Sequence, residues 1–113
     1  MKVESFNSEL HYTDDRINTQ LVLETTFSKE IRILLKEGQI MKEHKAPYPI
    51  IVHVIQGAIE FGVNGDHHQL VEGDIITLDA NVPHDLKANK NSAVRLTLAK
   101  GDSINRVDSV VSH

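Results

Sequence analysis

Apolar and polar residues alternate along most of the chain, and this two-residue period is typical of strands with one buried face. The segments that show it are 21–27, 30–36, 58–63 and 93–99, and the short apolar segment 75–78 lies between turn residues. The segment 50–56 is apolar on both faces apart from His53, which indicates a strand covered on both sides. We therefore predict strands at all of these places, with helix making up less than roughly one residue in ten.

Turn-forming residues separate these segments. They are Gly38, Gly57, Asn64-Gly65, Gly73-Asp74 and Asn81-Val82-Pro83. Asn64-Gly65 is a strong hairpin signal because both residues tolerate a positive φ, and Ser28-Lys29 is a second predicted hairpin connection. Short strands between such turns predict an all-β sandwich or barrel, and closure into a barrel would remove exposed strand edges.

The two ends of the chain differ from this pattern. Residues 1–16 are polar and are predicted to form an arm or an edge strand. The apolar spacing of Ile104, Val107 and Val110 indicates a short helix within a C-terminal tail over 101–113. A length of 113 residues suits a single domain, 1–113, because a second independent core would not fit.

Composition narrows the possible partners. Twelve basic and 16 acidic side chains give a net charge of −4, which offers no attraction to nucleic acid or to an anionic membrane. The chain has no cysteine, so disulfides, thiolate metal sites and cysteine nucleophiles are excluded. Its start has no apolar core like that of a signal peptide, and no segment is apolar enough to span a bilayer, so a cytoplasmic location is expected.

The order of glycines and histidines is the most specific feature. Gly38 is followed after five residues by His44, and Gly57 closes that segment, while Gly73-Asp74 leads into Val82-Pro83-His84. This order resembles the two sequence motifs of the cupin superfamily, and the resemblance covers residues 38–99. It implies a double-stranded β-helix, or jelly-roll barrel, with the motif histidines pointing inward. It also implies a homodimer, with which the apolar second face of Ile51 and Ile55 agrees.

The correspondence with the metal-binding residues of the family is incomplete. His44 falls on the first histidine of the first motif, and His84 falls on the histidine of the second motif. Ala46 stands at the second histidine position and Ile50 at the glutamate position. Neither alanine nor isoleucine can coordinate a metal, so two of the usual four ligands remain, and a site completed by water would be weak.

Strand parity extends the predicted pocket. Val52 shares a face with Ile50, so the expected lining is His44, His84, Ala46, Ile50 and Val52. Lys42 faces the same way as His44 if that strand is regular, and it would suit an anionic ligand, whereas a solvated lysine is the alternative. His53 is predicted to point away from the pocket, towards a second layer or an interface. The adjacent His67-His68 are predicted to be surface turn residues pointing to opposite faces.

Three functions fit these residues. The first hypothesis is a small-molecule-binding cupin without a complete metal site, in which the two imidazoles hydrogen-bond a small organic ligand. The alternative is a metal-dependent oxidoreductase of the dioxygenase type, or an isomerase, that uses His44 and His84 with iron, manganese, nickel, zinc or copper. A structural role carried by the dimer is the third hypothesis.

Overall fold

The computed structural model describes residues 1–102 and 104–111. The strands within them are β1 (Asn18–Glu24), β2 (Ser28–Leu35), β3 (Ile40–His44), β4 (Ile50–Gln56), β5 (Ala58–Val63), β6 (Asp66–Val71), β7 (Ile75–Leu78), β8 (His84–Ala88) and β9 (Ser92–Ala99). One helix, α1 (Ile104–Val111), follows where the spacing of apolar residues predicts it. Parts of the predicted C-terminal tail, including His113, lie outside the described residues.

The strands form two antiparallel sheets. Their orders are β1-β2-β9-β4-β7 and β3-β8-β5-β6, and the predicted all-β jelly-roll architecture is confirmed. The expectation of a closed barrel is wrong, because within the described residues no ladder joins the two sheets. The edges are tolerated because β7 is only four residues long and β6 carries mostly exposed polar side chains.

Three strands were not predicted from the alternation, namely β3, β6 and β8. Consecutive polar residues interrupt the period in two of them, at Lys42-Glu43 and at His67-His68. In β3 the pairing with β8 also shifts between Met41 and His44, which is the mark of a β-bulge. A bulge puts one extra residue into a strand, so sequence parity is lost across it.

The hairpin predicted at Ser28-Lys29 differs from its prediction, whereas the one predicted at Asn64-Gly65 agrees with it. Ser28 and Lys29 begin β2 instead of forming the turn. The connection lies just before them, where the Thr25 hydroxyl accepts hydrogen bonds from the backbone N–H groups of Phe27 and Ser28, as turn-forming threonines do. Asn64 and Gly65 both have positive φ, 52° and 84°, so the predicted tight hairpin is confirmed.

The core lies between the inner faces of the two sheets. Its largest fully buried side chains include Phe61, Ile31, Leu35, Met41, Ile59 and Leu98. Helix α1 contacts β1 and β3, buries Val107 in the same core, and is joined to β1 by a hydrogen bond from Thr19 to Asp108. Burial of apolar area in this single layer is the main source of stability.

The N-terminal arm covers the outer face of β2. Residues 1–16 contain no strand. The buried guanidinium of Arg32 donates hydrogen bonds to the carbonyl oxygens of Phe6, Ser8 and Glu9 and to the side-chain oxygen of Gln20. The apolar Leu34, on the same outer face, is buried as well.

Glu30 is a buried carboxylate on this covered face. Burial by itself raises the pKa of Glu30, but hydrogen bonds from Thr97, Ser28 and Arg95 outweigh it and hold the pKa below its usual value. These bonds measure 2.5, 2.7 and 2.9 Å respectively. The carboxylate therefore stays ionised and ties β2 to β9.

Among the described residues, no helix is both long and apolar enough to cross a membrane.

Candidate functional site

His44 and His84 are direct neighbours across a strand pair. His44 ends β3, His84 begins β8, and the two are aligned Cα partners. Side chains of directly opposed residues on one face lie about 5 Å apart at Cβ, so the two rings meet. Their centroids are 4.3 Å apart, with an angle of 60° between the ring planes. Both imidazoles can therefore contact one small group at the same time.

Each imidazole is oriented by the backbone carbonyl group two residues before it. The Nδ1 atom of His44 lies 2.8 Å from the carbonyl oxygen of Lys42, and that of His84 lies 2.9 Å from the carbonyl oxygen of Val82. A carbonyl oxygen only accepts, so Nδ1 carries the proton in both rings. In the neutral ring the lone pair is then on Nε2, which is the ring nitrogen whose chemistry is that of an acceptor or a metal ligand.

The two rings open on a small and mostly apolar cavity. It is lined by His44, His84, Ile33, Met41, Ile50, Val52, Phe61, Leu86, Val94 and Leu96. The cavity volume is about 20 Å³, which is room for roughly one water-sized group. The Phe61 ring stacks on His84, with 5.7 Å between centroids and 13° between planes. The core therefore fills most of the space that an organic ligand would need.

Sequence reasoning named only part of this lining. The structure places Ile50 and Val52 beside the two histidines, while Ala46 is buried but lies outside the cavity lining. Lys42 is exposed, because the bulge in β3 turns Met41 inward with His44 and leaves the lysine side chain in solvent. Phe61 was missed, although its place in the alternating run 58–63 was the available signal.

The remaining histidines lie elsewhere. His53 is half-buried on the face of β4 opposite to Val52 and Val54, and its Nδ1 is buried without a hydrogen-bond partner. His67 and His68 are exposed, and they belong to β6 instead of a turn. His67 lies near Glu60, with 3.6 Å between the ring nitrogen and a carboxylate oxygen.

The cavity does not supply a complete ligand set for a transition metal. Among the described residues that line it, only His44 and His84 have side-chain nitrogen or oxygen donors. Ala46 and Ile50 stand at the two other positions that the motif resemblance assigns to ligands. In the part of the chain that the structure describes, no three side chains of histidine or carboxylate type come together as a metal site. Tight binding needs three or four convergent donors, so the residues present do not fit a tightly held metal.

Two facing antiparallel sheets define a jelly-roll domain, and the histidine pair lies on two strands of the four-stranded sheet. The sequence matches the family model of the Cupin domain over residues 31–104, which is more than half of the chain. The protein therefore belongs to the cupin family. The matched region contains both histidines and all of the cavity-lining residues.

Solved structures agree on the fold. An RmlC-like cupin from Desulfovibrio desulfuricans has a TM-score of 0.80 at 24% identity, over 88% of this chain and 96% of that one. A protein of unknown function from Streptococcus pyogenes has a TM-score of 0.75 at 22% identity, over 90% of both chains. KdgF from Halomonas has a TM-score of 0.66 at 21% identity, over 72% and 76%.

Among curated proteins, no sequence matches this chain. The three structures named above are each below 25% identical to this chain, and the cupin fold supports many different activities. The comparisons therefore establish the family and the fold, and any activity has to be argued from the site itself.

Proposed function

We propose that the protein binds a small organic molecule through His44 and His84, without a tightly bound metal. One observation carries this proposal: two imidazoles with ring centroids 4.3 Å apart face a cavity whose other lining residues are apolar. Ligand sites in proteins commonly combine an apolar lining with a few convergent polar groups. The binding is proposed to occur in the cytoplasm.

A metal-dependent oxidoreductase or isomerase is the second candidate. The orientation of the two rings favours it, because histidines that ligate metals usually donate their other ring N–H to a backbone carbonyl, as both do here. The number of donors opposes it, since Ile50 contributes none. We rank it second because ligand number and convergence govern metal affinity.

The first experiment separates the two candidates. Protein purified without a histidine tag is analysed for bound metals, and we expect well below one equivalent. The same protein is then titrated with phenol and with aniline, which can donate an O–H or N–H hydrogen bond to Nε2, while the ring signals of His44 and His84 are followed by NMR. We expect saturable shifts of both rings, because one group in the cavity contacts both imidazoles.

The control uses another half-buried histidine. His44→Gln removes one imidazole at a half-buried position and is expected to weaken binding at least tenfold, whereas His53→Gln, on the opposite face of β4, leaves the affinity unchanged. One equivalent of retained metal, or binding that is equally tight in His44→Gln, would refute the metal-free proposal.

We further propose that the protein is a homodimer formed through the outer face of the five-stranded sheet. Phe27, Ile51 and Ile75 are 75%, 37% and 59% exposed there, and Phe27 and Ile51 line one shallow groove between β4, β7 and β9. The unpartnered Nδ1 of His53 lies on the same face of β4 as Ile51. Contiguous apolar surface of this kind commonly marks an interface.

Light scattering with size-exclusion chromatography tests the dimer. We expect twice the chain mass of 12.7 kDa at tens of micromolar protein. Phe27→Asp places a charge in the apolar groove and is expected to shift the equilibrium to monomer, while Val71→Asp, at an exposed position of the other sheet, does not. A wild-type monomer under these conditions would contradict the proposal.

A further inference from the structure

The cavity between His44 and His84 is too small for a whole organic molecule. Its volume of about 20 Å³ admits one water-sized group, such as a hydroxyl. A ligand recognised by the two imidazoles must therefore place the rest of its atoms in another space. The structure contains one such space directly beside the cavity.

That space is the gap at the open edge between the two sheets, here called the β6–β7 cleft. It is lined by Phe61, Val63, Leu70, Ile76 and Leu78, with His68 and Thr77 as its polar members. Its volume is about 280 Å³, against the roughly 150 Å³ of a protein cavity known to accept benzene. Since β6 and β7 are both edge strands, no ladder closes the gap between them.

Strand register places the cleft against the histidine cavity. Val63 is the Cα partner of His84, and Leu78 is the Cα partner of Ile50, which lines the cavity. Phe61 lines both spaces and stacks on His84. The side chain of Phe61 is thus the wall between a large apolar space and a pair of hydrogen-bonding groups.

We propose that the β6–β7 cleft holds the apolar body of the ligand, while a single hydroxyl group of that ligand reaches His44 and His84 past a displaced Phe61 ring. This inference rests on the proposed function and specifies its ligand class: a small phenol-like or branched alcohol. The cleft supplies apolar contact area, and the hydroxyl donates its one hydrogen bond to the Nε2 of one neutral imidazole while it contacts the other ring. In the structure the Phe61 ring stacks on His84, and the bound ligand would take the place of that ring beside the imidazole.

The test is an NMR titration of the full chain with phenol, and with benzene as the analogue without a hydroxyl. In the wild type, phenol is expected to shift the methyl signals of Ile76 and Leu78 together with the ring signals of His44 and His84. Ile76→Trp fills the cleft and is expected to weaken phenol binding at least tenfold. The matched control is Val71→Trp, on the exposed outer face of β6, with less than a twofold effect.

If Ile76→Trp does not fold, Ile76→Phe adds a smaller side chain to the cleft and is likewise expected to weaken phenol binding. His44→Gln is expected to weaken phenol at least tenfold and to leave benzene binding within twofold. Shifts confined to the two histidines, with unchanged affinity in the cleft variants, would overturn the cleft and leave the proposed function standing. Shifts confined to the cleft residues would mean that phenol binds there only adventitiously, and this result would overturn the proposed link between the cleft and the histidines. No binding of phenol to the wild type would overturn the hydroxyl ligand class.

Discussion

Gly57→Ala is expected to lower the stability of the domain by about 3 kcal/mol or more. Gly57 has a φ of +96°, a conformation that costs an L-residue roughly 1–2 kcal/mol. A Cβ at this position would also lie 2.6 Å from the Asn91 carbonyl oxygen and 2.7 Å from the Ser92 Cα. Both are backbone atoms, so the turn between β4 and β5 would have to separate from the start of β9.

Thermal unfolding measures this effect. At roughly 4–8 °C per kcal/mol for a domain near this size, a loss of about 3 kcal/mol should lower the midpoint by about 12–24 °C. Gly38→Ala is the matched control, because Gly38 also has a positive φ, +89°, but its Cβ would meet nothing within 4 Å. Gly38→Ala should lower the stability only by the cost of placing an L-residue at positive φ, about 1–2 kcal/mol. Equal losses in the two variants would show that the close backbone approach contributes nothing.

Alternation alone predicted the strands in which one face is apolar and the other polar. The alternating segment 58–63 coincides with β5, while 50–56 and 75–78, predicted as apolar runs between turn residues, coincide with β4 and β7. The strands that carry the histidine pair, β3 and β8, were not predicted, since both are short and β3 carries Lys42-Glu43 at its centre. In these strands tertiary pairing, and not the local pattern, determines the conformation.

The site depends on features that one sequence does not encode locally. The bulge between Met41 and His44 decides that Lys42 is exposed, and it becomes visible only in the pairing of β3 with β8. The small size of the cavity depends on Phe61, whose ring occupies space that the histidine spacing does not reveal. The sequence did contain one indication that the arm covers β2. Leu34 is an apolar residue on an otherwise polar face of that strand, which indicates that this face is covered.

Ile50→Glu is expected to raise Zn²⁺ affinity by more than tenfold. Ile50 lines the same cavity as His44 and His84, so a carboxylate there supplies a third donor at the point where the two imidazoles meet. Two nitrogens and one oxygen, completed by water, form a common zinc ligand set, and ligand number and convergence govern affinity. Without metal, the same carboxylate is buried among apolar groups and is expected to destabilise the domain.

Calorimetric titration with Zn²⁺ measures the affinity, and the unfolding midpoint with and without Zn²⁺ gives an independent readout, because a ligand that binds only the folded state stabilises it. Ile51→Glu is the matched control: it adds the same carboxylate one residue later, on the outer face of β4, and should leave the affinity unchanged. Adding His84→Gln to Ile50→Glu should remove the gain. If the wild type already binds one equivalent of Zn²⁺ as tightly as Ile50→Glu, the two-histidine site is a metal centre and the reduced-ligand metalloenzyme becomes the correct interpretation.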